Sequence, residues 1–111
     1  MEFMREQDGA VTLVRLIGRL DARSVDQAEE TLLGALGGDP PRVALDMSEM
    51  SYISSAGLRV LLKLAKQVQQ GRGRLTLFGL PPNVRHVFAV SGFDTILAIH
   101  PDRADAVAAL R

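Results

Sequence analysis

Short apolar runs closed by glycine or proline alternate along this chain with longer stretches in which apolar positions recur three or four apart. The first run, Phe3–Gln7, is followed by Asp8-Gly9 and then by Val11-Thr12-Leu13-Val14-Arg15-Leu16-Ile17. Asp-Gly between two extended runs predicts a tight hairpin with positive φ at both central residues. The second run is apolar on both of its faces, as in a strand covered on each side.

Gly18-Arg19-Leu20-Asp21 closes that strand, and Ser24-Val25-Asp26-Gln27 reads as a capping box opening a first helix. Val25, Ala28, Leu32, Ala35 and Leu36 hold helical spacing until Gly37-Gly38 and Pro40-Pro41 stop them. Val43–Met47 is a short strand. The stretch Ser55–Gln70 is the clearest helix, with Leu58, Leu61, Leu62, Ala65 and Val68 on one face and Arg59, Lys63, Lys66 and Gln70 on the other. Gly71 and Gly73 end it, and Leu75–Phe78 is the next strand. Pro81-Pro82-Asn83 opens a third helix carrying Val84, Val87 and Phe88, which Gly92 ends. Thr95–Ile99 is a final strand, and Asp102 caps a last helix reaching Leu110. The order β-β-α-β-α-β-α-β-α predicts a single α/β domain over residues 1–111. It is a mostly parallel mixed sheet of about five strands with an opening β-hairpin, about four helices and right-handed crossovers.

Composition narrows the chemistry. The 13 lysines and arginines balance 13 aspartates and glutamates, so there is no basic excess of the kind a phosphate-backbone binder carries, and direct nucleic-acid binding is not expected. The absence of cysteine excludes disulfides, thiolate metal sites and cysteine nucleophiles, and two distant histidines make no metal set. No cofactor is expected. No segment approaches the roughly 20 apolar residues of a bilayer span. The start, Met1-Glu2-Phe3-Met4-Arg5-Glu6, lacks the pattern of a secretory signal, so a cytoplasmic location is expected.

In a parallel sheet, functional groups collect in the loops leaving the C-terminal strand ends. Two such loops stand out: Gly18–Arg23, and the long connection Asp46–Leu58. Parallel pairing of the strands before them would bring Asp21 and Ser55 to one end of the domain. Ser54 and Ser55 precede the strongest helix, and one reading is plain capping. The other is a phosphoacceptor: unpaired N–H groups and the positive dipole end favour a phosphoryl group there, and Ala56 and Gly57 would leave the hydroxyl accessible. A serine hydrolase is rejected, since Ile53 and Ser54 stand where a nucleophile elbow needs glycine, and neither His86 nor His100 is placed as a base. Arg59, Lys63, Lys66, Arg72 and Arg74 form a basic side, read as a solvated face or a docking surface for an acidic partner.

Ile53-Ser54-Ser55-Ala56-Gly57-Leu58, after Val43–Ser48, resembles the signature of STAS domains, in particular the bacterial anti-sigma factor antagonists. Gly18-Arg19-Leu20-Asp21 resembles the family's turn after the second strand. Pro82–Phe88 with Ser91-Gly92-Phe93 resembles its third helix and the turn that follows. The resemblance covers nearly the whole chain and implies a non-enzymatic, monomeric switch protein. It implies binding, in the unphosphorylated form, to an anti-sigma factor that is a serine kinase of the histidine-kinase ATPase type, which frees the sigma factor. Phosphorylation then releases the antagonist, and a PP2C-type phosphatase reverses the mark. By position the phosphoserine falls on Ser55, with Ser54 as the alternative because serine stands where the family often has aspartate. The implied partner-binding residues are Asp21, Arg23, Ser54, Ser55, Ala56, Gly57 and Arg59. The alternative within the same fold is a small-ligand or lipid-transport accessory module acting without phosphorylation.

Overall fold

The computed structural model describes residues 1–111 and centres on one long strand. In chain order the elements are β1 (Glu2–Asp8), β2 (Val11–Leu20), α1 (Val25–Gly34), β3 (Arg42–Asp46), β4 (Met50–Ile53), α2 (Ser55–Gln70), β5 (Arg74–Phe78), α3 (Pro82–Ser91), a 3₁₀ turn (Phe93–Thr95), β6 (Ala98–His100) and α4 (Arg103–Ala108). The sheet runs β1-β2-β3-β5-β6, with β4 paired to β2. Only β1 is antiparallel to its neighbour; the other pairings are parallel. The sheet is therefore the mixed, mostly parallel one expected, with six strands rather than about five. No helix is long and apolar enough to cross a membrane.

β2 is the hub. Thr12–Arg15 pair with β3, and Gly18–Leu20 pair with β4, so the two short strands follow one another beside it. The register shifts between Gly18 and Arg19, where Gly18 takes φ +104°, a conformation that costs a glycine little. Alternate residues of the strands point to opposite faces. One face packs Val14, Leu16, Leu45 and Leu77 against α1, α2 and α3, whose Leu32, Leu64 and Phe88 are fully buried. Burial of each such side chain contributes about 1.5–3 kcal/mol. The other face buries a smaller cluster, Val11, Leu13, Ala44 and Phe78, under α4 alone. On that face the Arg15 Nε donates to Asp46 at 3.1 Å, and Asp46 also accepts from the Ser48 hydroxyl at 2.6 Å and the Ser48 N–H at 3.0 Å. Burial works against the charged Asp46, but these donors outweigh it and hold its carboxyl below the usual range.

Four local expectations are corrected. Met50–Ile53, read as part of a loop, is a strand. The hairpin turn is Gly9-Ala10, because Asp8 pairs with Val11; only Gly9 needs positive φ (+59°), at the first central position. Ser24 makes no side-chain cap on α1; its hydroxyl turns back to donate to the Arg19 carbonyl at 2.8 Å. The last strand is Ala98–His100, since Gly92 ends α3 in the left-handed conformation and a 3₁₀ turn intervenes before it.

Candidate functional site

β2 and β4 end side by side, with Leu20 opposite Ile53. The Ser54 N–H donates to the Leu20 carbonyl at 2.9 Å, and the Gly18 N–H to the Glu49 carbonyl at 3.1 Å. The residues that follow, Asp21 on one side and Ser54-Ser55 on the other, therefore leave the sheet at the same end, as parallel pairing requires.

The two serines have different surroundings. Ser54 is the N-cap, in extended backbone, and its Oγ accepts from the Gly57 N–H at 3.2 Å. Ser55 is the first helical residue; its side chain is exposed and its hydroxyl makes no hydrogen bond within the protein. Gly57 does not open the site to solvent, as its small size suggested. It is buried, and a Cβ there would lie 2.8 Å from Cγ and from the carbonyl oxygen of Leu20 and 2.9 Å from Ile53 Cγ1. Glycine at this position lets the first turn of α2 sit directly on the ends of β2 and β4. Ser55 is exposed because it faces outward from that turn, with half-buried Ala56 beside it.

Across the strand ends, Asp21 organises the other loop. Its Oδ1 accepts from the Arg23 N–H at 3.0 Å, and its Oδ2 lies 3.4 Å from Arg19 Nε. The Arg23 N–H is the main cause that holds the Asp21 carboxyl below its ordinary value; Arg19 assists, against partial desolvation. The Asp21 N–H donates to Ser24 Oγ at 3.0 Å, so Ser24 ties the loop together instead of capping the helix. Arg23 and Arg59 are exposed and enter no ion pair.

Three residues of this surface were not singled out by the sequence. Arg19 and Tyr52 pair in register across β2 and β4, with the guanidinium carbon 4.3 Å from the ring centroid. Asn83, at the start of α3, donates from Nδ2 to the Ser51 carbonyl at 2.8 Å and fastens the far side of β4. Their pairing depends on β4 being a strand. The basic side of α2 is not continuous: Lys63 pairs with Glu29 at 2.7 Å, and Arg74 donates to the Ala109 carbonyl at 3.2 Å. His86 stands exposed on α3 and His100 ends β6, and neither bonds to Ser55. The Ser55 hydroxyl thus has no base of its own.

A family model of the STAS domain matches residues 2–106. The chain belongs to the STAS domain family. Over 111 residues this STAS domain is 37% identical to BtrV of Bordetella bronchiseptica, named as an anti-sigma factor antagonist, covering 100% of this chain and 96% of that protein. A Thermotoga maritima structure described as an anti-sigma factor antagonist superposes with a TM-score of 0.90 at 18% identity, covering 98% of this chain and 94% of the other. The Bacillus cell-fate determinant SpoIIAA in its phosphorylated form superposes with a TM-score of 0.70 at 22% identity, covering 99% of this chain and 100% of that one. These structural likenesses show the fold. STAS domains of this family are regulatory binding proteins and not enzymes.

Proposed function

We propose that this STAS domain is an anti-sigma factor antagonist that works by partner switching. With Ser55 unmodified, the end of the domain carrying Asp21, Arg23, Ser54, Ser55, Ala56 and Arg59 binds an anti-sigma factor that is also an ATP-dependent serine kinase, and the sigma factor is freed. The cycle runs in the cytoplasm and uses a single copy of this chain.

The observation that carries this reading is the contrast between the two serines: Ser54 spends its hydroxyl oxygen on the cap, whereas the Ser55 hydroxyl is exposed and unbonded at the first position of α2. In the switching step the Ser55 Oγ attacks the γ-phosphorus of ATP, the bond to the β,γ-bridging oxygen breaks, ADP leaves, and the hydroxyl proton passes to a base of the kinase. A PP2C-type phosphatase reverses the mark: water attacks phosphorus, the serine oxygen leaves, and inorganic phosphate is released. Phosphorylation adds about −1.5 to −2 charges to the docking surface. An unpaired dianion buried in an interface costs roughly 3–5 kcal/mol, or about 10²- to 10³·⁵-fold in affinity, enough to free a tight partner.

The test is intact-mass measurement before and after incubation with ATP and the cognate kinase. One phosphoryl increment, mapped to Ser55 and absent from Ser55→Ala, is expected. An increment that survives Ser55→Ala but is lost in Ser54→Ala moves the site to Ser54, and no increment at all overturns the phosphorylation switch.

A further inference from the structure

We propose that Arg59 grips the phosphoryl group of phosphorylated Ser55 within the same chain, so that modification both adds charge and withdraws this guanidinium from the docking surface. The inference rests on the reading of Ser55 as the phosphoacceptor and adds a role for one side chain in the modified state.

Arg59 lies four residues after Ser55 on α2, and both are exposed. Leu58 and Val60, on either side of Arg59, are buried, so the backbone fixes Arg59 on the outward face. Residues four apart on a helix are neighbours, with Cβ atoms about 5–6 Å apart. Long helical side chains lean back toward the N-terminus, which carries the guanidinium over the turn that begins at Ser55. An anion placed N-terminal to a cation at this spacing is the favourable order. The planar fork of arginine also matches two phosphoryl oxygens.

Nothing else on the helix claims this cation. No acidic residue occupies the first turn of α2, and Arg59 enters no ion pair. Lys63, one turn further on, is engaged by Glu29 at 2.7 Å, and its like charge disfavours a forward-leaning Arg59. Across the strand ends, the Asp21 carboxylate is occupied by the Arg23 N–H and by Arg19. Arg23 and Arg85 are other unpaired guanidinium groups near this end, but Arg23 sits on the β2–α1 loop and Arg85 on α3, not on the helix that carries Ser55.

The test uses the full chain with phosphoserine installed at position 55 during translation, so no kinase is needed. The second ionisation of the phosphate, ordinarily near about 6, is followed by phosphorus NMR. Arg59→Gln is expected to raise the midpoint by about 0.2–0.4 pH units, the equivalent of an exposed i,i+4 ion pair. Arg59→Lys is expected to restore part of the shift, and Arg23→Gln to leave the midpoint in place. An unchanged midpoint in Arg59→Gln, or an equal shift in Arg23→Gln, overturns the proposal. Because the phosphate is installed synthetically, this result stands apart from kinase mapping, which alone decides whether Ser55 is the natural acceptor.

Discussion

Gly57 and Leu20 touch so closely that no side chain fits between them: a Cβ on Gly57 would lie 2.8 Å from both Cγ and the carbonyl oxygen of Leu20. The carbonyl is backbone and already accepts from the Ser54 N–H, so it cannot move aside freely. Gly57→Ala is therefore expected to lift the first turn of α2 and destabilise the fold by about 1–3 kcal/mol, as overpacking does. Urea unfolding measures this, and a midpoint equal to wild type would show that the turn yields without cost.

Under the proposed function, the neighbouring serines separate stability from signalling. Ser54→Ala removes the cap to Gly57 and is expected to cost about 1 kcal/mol while leaving an acceptor hydroxyl at Ser55. Ser55→Ala breaks no internal hydrogen bond and is expected to unfold within about 0.5 kcal/mol of wild type. In a kinase pull-down with ATP, Ser55→Ala should stay bound where wild type is released. Without ATP, Ser55→Glu should bind more weakly than unmodified wild type or Ser55→Ala.

The sign of one pH effect follows from Asp46. Its carboxyl is held below the usual range in the folded chain, so it binds fewer protons folded than unfolded at acid pH. Its contribution to stability is present above the unfolded value of about 3.9 and is lost as pH falls through the folded one. Asp46→Asn should be less stable than wild type at neutral pH, with the gap narrowing below about pH 4. Unfolding curves at stepped pH check this, and a gap that widens on acidification would contradict the assigned pairing with Arg15 and Ser48.

Arg19 and Tyr52 form the shoulder between Asp21 and Ser54. Tyr52→Ala removes a cation–π contact worth about 0.5–1 kcal/mol at an exposed site and frees Arg19 to move. Folding stability should fall by no more than that. If this shoulder is part of the docking surface, calorimetric titration with the unphosphorylated-state partner should show weaker binding by severalfold, and unaltered affinity would place the pair outside the interface.

Much of this architecture was legible because its signals are local. The recurrence of Leu58, Leu61, Leu62, Ala65 and Val68 marked α2, the serines before it and Gly71 after it gave its observed ends, and Asp102 caps α4 by accepting from the Asp105 N–H at 2.9 Å. Parallel pairing of β2 and β3 followed from the alternation of strands and helices and placed Asp21 and Ser55 at one end. β4 was not legible. It has four residues, its two middle ones are exposed and polar-tipped, and its pairing partner lies 32 positions earlier at Gly18↔Met50. With β4 missed, the contacts of Tyr52 and Asn83 were missed too, since both depend on where that strand lies. The Ser24 motif misled for another reason: its oxygen accepts from the Asp21 N–H and its hydroxyl donates to the Arg19 carbonyl, so the tight Asp21 loop holds the side chain away from the helix N–H groups. The hairpin was right in kind but its turn is displaced by one residue, from Asp8-Gly9 to Gly9-Ala10, because register along β1 and β2 decides which pair forms the turn.

The stitch between the Ser54 amide and the end of β2 has a final consequence. The residue just before Ser55 is bolted to the longest strand of the sheet, so a group added to Ser55 would push against an anvil and not a spring. Under the proposed switch, information passes as a changed electrostatic pattern on a stationary scaffold, and amide exchange rates along β2 should be the same before and after esterification of Ser55.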